Sequence, residues 1–157
     1  MRTLLDRNWH VTVVSRRPYE HMQEPAPSTF TQILSSLSSD DMPVLTTSLQ
    51  AHDALFNCLG TTRGAAGSAE AFVGVEVGLT QTISDIAFEA GIPHVSVVSA
   101  EGANKDMWVP TTLIHPMLYV RTLGEKEEAM LSHPFTSVSI FRPGMLNRRV
   151  NEMLMRC

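Results

Sequence analysis

The segment Asn57-Cys-Leu-Gly-Thr-Thr-Arg-Gly64 follows directly on the apolar run Ala54-Leu-Phe56. An apolar run that breaks into glycine and hydroxyl-bearing residues is the pattern of a buried parallel strand ending in a ligand-binding turn. Gly60 permits close approach of a ligand to the backbone, and the hydroxyls of Thr61 and Thr62 can bond a phosphate or a ribose. The competing reading is an ordinary loop after a strand. The ligand reading is favoured because loops at the carboxyl ends of strands carry the sites of open α/β sheets. Arg63 adds a charge contact there or is simply exposed. A second group is Arg16-Arg17, which closes the β-branched run Val11-Thr-Val-Val-Ser15. Paired guanidinium groups suit a phosphate, and a solvated loop is the alternative. Cys58 falls inside the expected strand with no histidine at a motif spacing, so it reads as a small core residue and not as a nucleophile. The 6 histidines show no metal-ligand spacing, and no metal is assigned.

The elements that would position these residues alternate. Residues 2–8 have helical spacing through Leu5 and Trp9, and 10–15 form a strand stopped by Pro18. Residues 19–28 lack periodicity and carry Pro25 and Pro27, which makes them loop. Phe30–Leu34 reads as a weak strand, 35–41 as a serine-rich turn, and 43–52 as a short helix with Leu45 and Leu49 on one face. Ala54–Leu59 is a strand. Phe72, Val75, Leu79, Ile83, Ile86 and Ala87 recur at three- and four-residue steps, predicting one amphipathic helix over 69–90 closed by Gly91. His94–Ala100 is a strand, followed by a polar loop through Asp106. Residues 116–132 form a helix with Glu125–Glu128 on its solvated side, and Val138–Phe141 is a further strand before Arg142-Pro-Gly144. The tail, 147–157, has helix-compatible composition. Strands alternating with helices give an α/β domain with a parallel sheet.

Composition fixes the broad class. The 157 residues suffice for a single domain with a sizeable core. With 43% hydrophobic and 18% charged residues, the chain has the balance of a globular protein. A net charge of −4 gives no general attraction to nucleic acid or to anionic membranes. Two cysteines exclude a disulfide framework, and no apolar run reaches the length of an integral membrane segment.

Asn57–Gly64, Val97-Val-Ser-Ala-Glu-Gly-Ala-Asn104, Phe141-Arg-Pro-Gly144 and Val11-Thr-Val-Val-Ser-Arg-Arg17 together resemble the atypical short-chain dehydrogenase/reductases of the Tat-interacting oxidoreductase type. That group includes fungal members associated with the mitochondrial outer membrane. The resemblance covers most of the chain from 10 to 146, least between 19 and 52. It implies a Rossmann-like, doubly wound parallel sheet that binds NADP (NADPH) through Leu59, Gly60, Thr61, Thr62, Arg142 and Pro143. Arg16 and Arg17 stand where an acidic residue would bond the ribose 2′-OH of NAD, so NADP is the expected cofactor. Ser99 and Tyr119 are then the catalytic pair of a carbonyl reductase, the serine orienting the carbonyl and the tyrosine donating a proton as hydride arrives. A tyrosine with a pKa of about 10 needs a lysine one helical turn on to act near neutrality. Leu123 holds that position, and Lys126 lies about 10 Å along the helix axis from Tyr119. A half-buried helix residue is the competing reading of Tyr119.

No glycine precedes Gly60, so the family's Gly-x-x-Gly-x-x-Gly turn has no counterpart in this sequence. The expectation is a domain lacking the first strand and that turn, with unpaired strand edges and little after Arg142-Pro-Gly144 to build a substrate cap. Three functional readings follow. The first is an NADP-binding, reductase-like protein acting on a small-molecule carbonyl substrate. The others are a non-catalytic scaffold that binds protein partners, and a fragment of a complete oxidoreductase. The helices at 69–90 and 116–132 serve either a homodimer interface, as in related reductases, or internal packing. The expected location is cytoplasmic, with the mitochondrial outer surface as the alternative that the resemblance implies.

Overall fold

In a computed structural model, residues 1–19, 27–109 and 116–144 are described. They fall into two compact units, Met1–Val44 and Leu45–Cys157.

In the first unit, α1 (Arg2–Leu5) is a single turn of the helix expected over 2–8. The chain then turns through Asn8, whose φ of 60° is the left-handed conformation that asparagine tolerates best after glycine. Strand β1 (Val11–Ser15) pairs in parallel with β2 (Phe30–Leu34), Val11 facing Phe30 and Ser15 facing Leu34. Gln32 organises the chain beyond β1. Its Nε2 donates to Ser15 Oγ at 2.7 Å and to the Arg17 carbonyl at 3.0 Å, while its Oε1 accepts from the Tyr19 amide at 3.1 Å. The serine-rich turn after β2 closes on Asp41, whose carboxylate accepts from the hydroxyls of Ser35 and Ser36 and the amides of Ser36 and Ser38.

Helix α2 (Met42–Ser48) crosses the division and is shorter than the 43–52 expected, but Leu45 and Leu49 are both buried as its spacing required. In the second unit β3 (Ala54–Asn57) leads through α3 (Arg63–Ala66) and α4 (Ala69–Val73) into a π turn, Gly74–Gly78, and then α5 (Leu79–Glu89). Strand β4 (His94–Val98), α6 (Pro116–Met130) and β5 (Ser137–Phe141) complete the unit. All three strands are parallel in the order β3-β4-β5. Val95 and Val97 belong to an apolar core with Phe72, Ile86, Leu123 and Met130. The opposite sheet face carries Phe56, Val98 and Phe141, which are 59%, 41% and 55% exposed.

The differences from expectation have local causes. The helix predicted over 69–90 is interrupted by the wider π turn between two glycines, which shifts the register of its inner face by one residue. Its end is as expected: Gly91 has φ 75°, and the Ile92 amide reaches back to the Ala87 carbonyl at 2.9 Å, closing the last turn. Strand β3 stops at Asn57, two residues early, because the Asn57 side chain accepts from the Leu59 amide and bends the chain out of the ladder. Cys58 is therefore exposed and not a core residue. Arg63 opens α3, a helix too short to show a period in the sequence, capped by the Thr62 hydroxyl. Lys126 and Glu127, expected on the solvated side of α6, are 2% and 6% exposed. The tail, 147–157, and much of the expected 19–28 loop lie outside the described residues.

Candidate cofactor edge

Because β3, β4 and β5 run parallel, the loops that follow Asn57, Val98 and Phe141 leave from one edge of the sheet. Two backbone bonds bind the last two loops together, Ser99 amide to Phe141 carbonyl at 2.8 Å and Glu101 amide to Pro143 carbonyl at 3.1 Å. Leu59, Gly60, Thr61, Thr62, Ser99, Arg142 and Pro143 all belong to these loops, so the edge itself is as the strand pattern requires.

What fills the first loop is not apparent from the local sequence. Glu76, at the centre of the π turn, places its carboxylate against Gly60 and Thr61. Its Oε1 accepts from the Thr61 amide at 2.6 Å, and its Oε2 accepts from Lys126 Nζ at 2.9 Å. The same ammonium donates to the Leu59 carbonyl at 2.7 Å. Both charged side chains are almost fully buried, 3% exposed for Lys126 and 4% for Glu76. A Cβ on Gly60 would lie 3.3 Å from Glu76 Oε1. The glycine therefore makes room for a carboxylate of the protein itself. Thr80 donates to the Glu76 carbonyl at 2.7 Å and accepts from Asn57 Nδ2 at 3.0 Å, tying the end of β3 to the same π turn. The Thr62 hydroxyl accepts from the Ala65 amide as the cap of α3, and among the described residues the Thr61 hydroxyl has a long contact of 3.4 Å to the Thr62 carbonyl.

Glu127 gathers the second and third loops. It accepts from Ser99 Oγ at 2.6 Å and, on its two oxygens, from Arg142 Nε at 2.8 Å and Arg142 Nη2 at 2.5 Å. A guanidinium fork matches a carboxylate in this way, and the pairing is directional as well as strong. Burial acts to raise the Glu127 carboxyl, but the bonds from Arg142 and Ser99 outweigh it and hold the group below the usual carboxylate range. Ser99 and Arg142 are thus brought together, through a glutamate of α6 and not through an open pocket.

Tyr119 stands apart from that cluster. It is 46% exposed, its ring stacks on Phe72 with centroids 6.1 Å apart, and its hydroxyl has no hydrogen-bond partner among the described residues. Partial burial and the charge of Glu76 push its pKa above the ordinary 10.0, the opposite of what an acid–base tyrosine needs. Leu123 is buried in the core, and Lys126 is committed to Glu76 and Leu59. No other described lysine occupies α6. In the first unit Arg16 and Arg17 are exposed, and neither guanidinium has an ion-pair or hydrogen-bond partner among the described residues. No cluster of potential metal ligands occurs among them either.

The fold has clear counterparts. The MoeE5 structure in complex with UDP-glucose and NAD superposes with a TM-score of 0.65 at 20% identity, covering 90% of this chain and 48% of that one. The DesIV dehydratase double mutant of Streptomyces venezuelae gives a TM-score of 0.66 at 18% identity, with 90% and 50% covered. No family model matches the sequence. In sequence the chain is 30% identical over 136 residues to protein HTATIP2 of Rattus norvegicus, covering 87% of this chain and 51% of the relative. It is also 36% identical over 99 residues to the mitochondrial protein FMP52 of Lodderomyces elongisporus, covering 63% and 38%. The sequence similarity supports the resemblance to the atypical short-chain dehydrogenase/reductases. The chain's architecture is that family's Rossmann-like α/β fold, and it spans about half the length, or less, of the curated relatives it matches.

The site residues that sequence reasoning missed are Glu76 and Glu127. Two signals pointed to Glu76: a carboxylate in the middle of an apolar helix face, and glycines at 74 and 78 on either side of it. Glu127 carried no such signal, since it sits in a run of charges, Glu125-Lys-Glu-Glu128, that reads as a solvated face.

Proposed function

We propose that the protein binds NADP(H), and that it binds this dinucleotide without efficient carbonyl reduction. The family resemblance supports the dinucleotide, and MoeE5 was solved with NAD on the same fold. The donor set fits in part. Arg16 and Arg17 offer guanidinium groups with no partner among the described residues, the chemistry that a 2′-phosphate requires. At Gly60–Thr62 the Thr61 amide is already engaged by Glu76, so the contribution of that loop would come from the Thr61 and Thr62 hydroxyls as donors. Arg142 would present the guanidinium hydrogens that Glu127 leaves over, and Pro143 and Leu59 would line the edge. The bound dinucleotide would supply a hydride acceptor or donor.

The observation that carries the non-catalytic part is Tyr119. Its pKa is raised, no lysine neighbours it one turn on, and Ser99 is engaged by Glu127. Reduction of a small aldehyde or ketone through Ser99 and Tyr119 would need Ser99 released from Glu127 and the Tyr119 hydroxyl made more acidic. The test is a titration followed by NADPH fluorescence. Micromolar binding, weakened at least tenfold in Arg16→Ala/Arg17→Ala, together with turnover unchanged in Tyr119→Phe, is the expected result. Absence of binding at millimolar NADPH refutes the cofactor assignment, and turnover that collapses in Tyr119→Phe refutes the non-catalytic assignment.

A second reading, an interaction protein, is favoured by one observation: the sheet face bearing Phe56, Val98 and Phe141 is exposed. A protein partner or a second copy of the chain would cover it. The FMP52 relatives are named mitochondrial, which favours a mitochondrial surface over the general cytoplasm. No described helix is long and apolar enough to cross a membrane.

A further inference from the structure

Glu76 and Lys126 are separated by 50 residues and carry opposite charges in the interior beneath the first loop of the candidate edge. For stability alone the pair is a poor choice. Removing two charges from water costs several kcal/mol per ion, and a packed apolar pair of the same volume is often at least as stable. What the pair does that an apolar one cannot is bond the loop backbone on both sides of Gly60. The ammonium takes the Leu59 carbonyl and the carboxylate takes the Thr61 amide. Two further bonds act on the same segment, since Asn57 Oδ1 holds the Leu59 amide at 3.0 Å and Asn57 Nδ2 reaches Thr80, which is anchored on the Glu76 carbonyl. Gly60 is the complementary part, because any larger residue would press on the carboxylate.

We infer that Lys126 and Glu76 form a buried clamp that fixes the Leu59–Thr61 turn in one shape, and that they are positioning residues for the dinucleotide this turn receives. The ligand half of this inference rests on the cofactor reading above; the clamp half does not. The clamp also explains why α6 carries a lysine at 126 and leucine at 123. From position 126 the side chain reaches the inner side of the loop, beneath Gly60, whereas Leu123 packs in the core. The π turn carries the matching half: Glu76 lies at its centre, four residues from the buried Phe72 and four from the buried Thr80, and faces inward with them.

The experiment is hydrogen exchange read by mass spectrometry on the full chain, with NADPH titration in parallel. Lys126→Met keeps the stem of the side chain and removes the charge, leaving Glu76 buried and unpaired. The peptide spanning 58–62 should then exchange about tenfold faster, while peptides in β4 and β5 keep their protection. Lys126→Met/Glu76→Gln restores neutrality and keeps an acceptor for the Thr61 amide. In that double variant exchange at 58–62 should return to within about threefold of the wild type, and a purely structural loss would not be rescued in this way. NADPH affinity should fall about tenfold in Lys126→Met and recover in the double variant. Unchanged exchange at 58–62 in Lys126→Met, acceleration spread equally over β4 and β5, or failure of the rescue each overturns the clamp. If Lys126→Met does not fold, Glu76→Gln alone decides the matter. Faster exchange confined to 58–62 supports the clamp and unchanged exchange refutes it. If the wild type binds no NADPH, the cofactor reading falls, and the exchange measurement still decides for or against the clamp.

Discussion

Gly124→Ala tests the packing that holds the second loop of the edge in place. Gly124 is buried in α6, and the loop after β4 crosses it at backbone contact. A Cβ at this position would meet the Lys105 amide nitrogen at 2.1 Å, the Asn104 carbonyl carbon at 2.5 Å and Lys105 Cα at 2.8 Å. These are main-chain atoms, so no rotamer change relieves the clash and the loop must move off the helix. Two bonds go with it, Asn104 amide to the Val120 carbonyl at 3.0 Å and the exposed Lys105–Glu128 ion pair. Overpacking of this kind costs about 1–3 kcal/mol, and the lost backbone bond about 1 more. The exposed ion pair adds little. Against this, alanine is favoured over glycine in a helix by about 1 kcal/mol. The expected balance is a destabilisation of about 1–3 kcal/mol, measured as a lower urea midpoint at unchanged m value. The sign is decisive. A variant that is more stable than the wild type would show that Gly124 behaves as an ordinary helix glycine and that the loop does not lie where these contacts put it.

Three further outcomes follow from the described contacts. Asp41 is held at a pKa of about 2, against an ordinary 3.8, chiefly by the Ser35 hydroxyl, with further bonds from Ser36 and Ser38 outweighing desolvation. A depressed carboxylate stabilises its turn above the ordinary value and loses that contribution as pH falls through the folded one. The Ser36 and Ser38 amide resonances should therefore titrate between about pH 4 and pH 2, and Asp41→Asn should abolish that titration. The same sign applies to Glu127, whose lowered carboxyl adds stability above its ordinary range and loses it on acidification. Arg142→Ala should lower the denaturant midpoint at neutral pH, and the difference from the wild type should shrink as the pH falls through the lowered carboxyl's range. The Thr122 hydroxyl is buried without a hydrogen-bond partner among the described residues. Thr122→Val removes it at constant shape and should raise the thermal midpoint, by roughly 1 kcal/mol of stability; a lower midpoint would mean the hydroxyl has a partner.

The strands were legible because β-branched runs such as Val11–Val14 and His94–Val98 leave few alternatives, and because Pro18, Gly91 and Pro143 punctuate them. The edge was legible for the same reason, since parallel strands must deliver their following loops to one side. The chemistry on that edge was less so. Where ligands were expected for Thr61, Ser99 and Arg142, Glu76 and Glu127 supply from within the chain the acceptors that these residues seek. Local patterns cannot show this. The Glu76–Lys126 bond joins residues 50 positions apart, and charge runs on helices are ordinarily solvated.

The burial of Lys126 has a practical side. An amine that is 3% exposed and bonded to two oxygens is out of reach of an acylating reagent. Lys105, at the surface, is within reach. Labelling of the native chain with an anhydride should therefore mark Lys105 at once and Lys126 only during rare openings of the helix against the loop. The ratio of the two labelling rates becomes a stopwatch for that opening, readable from one tryptic digest.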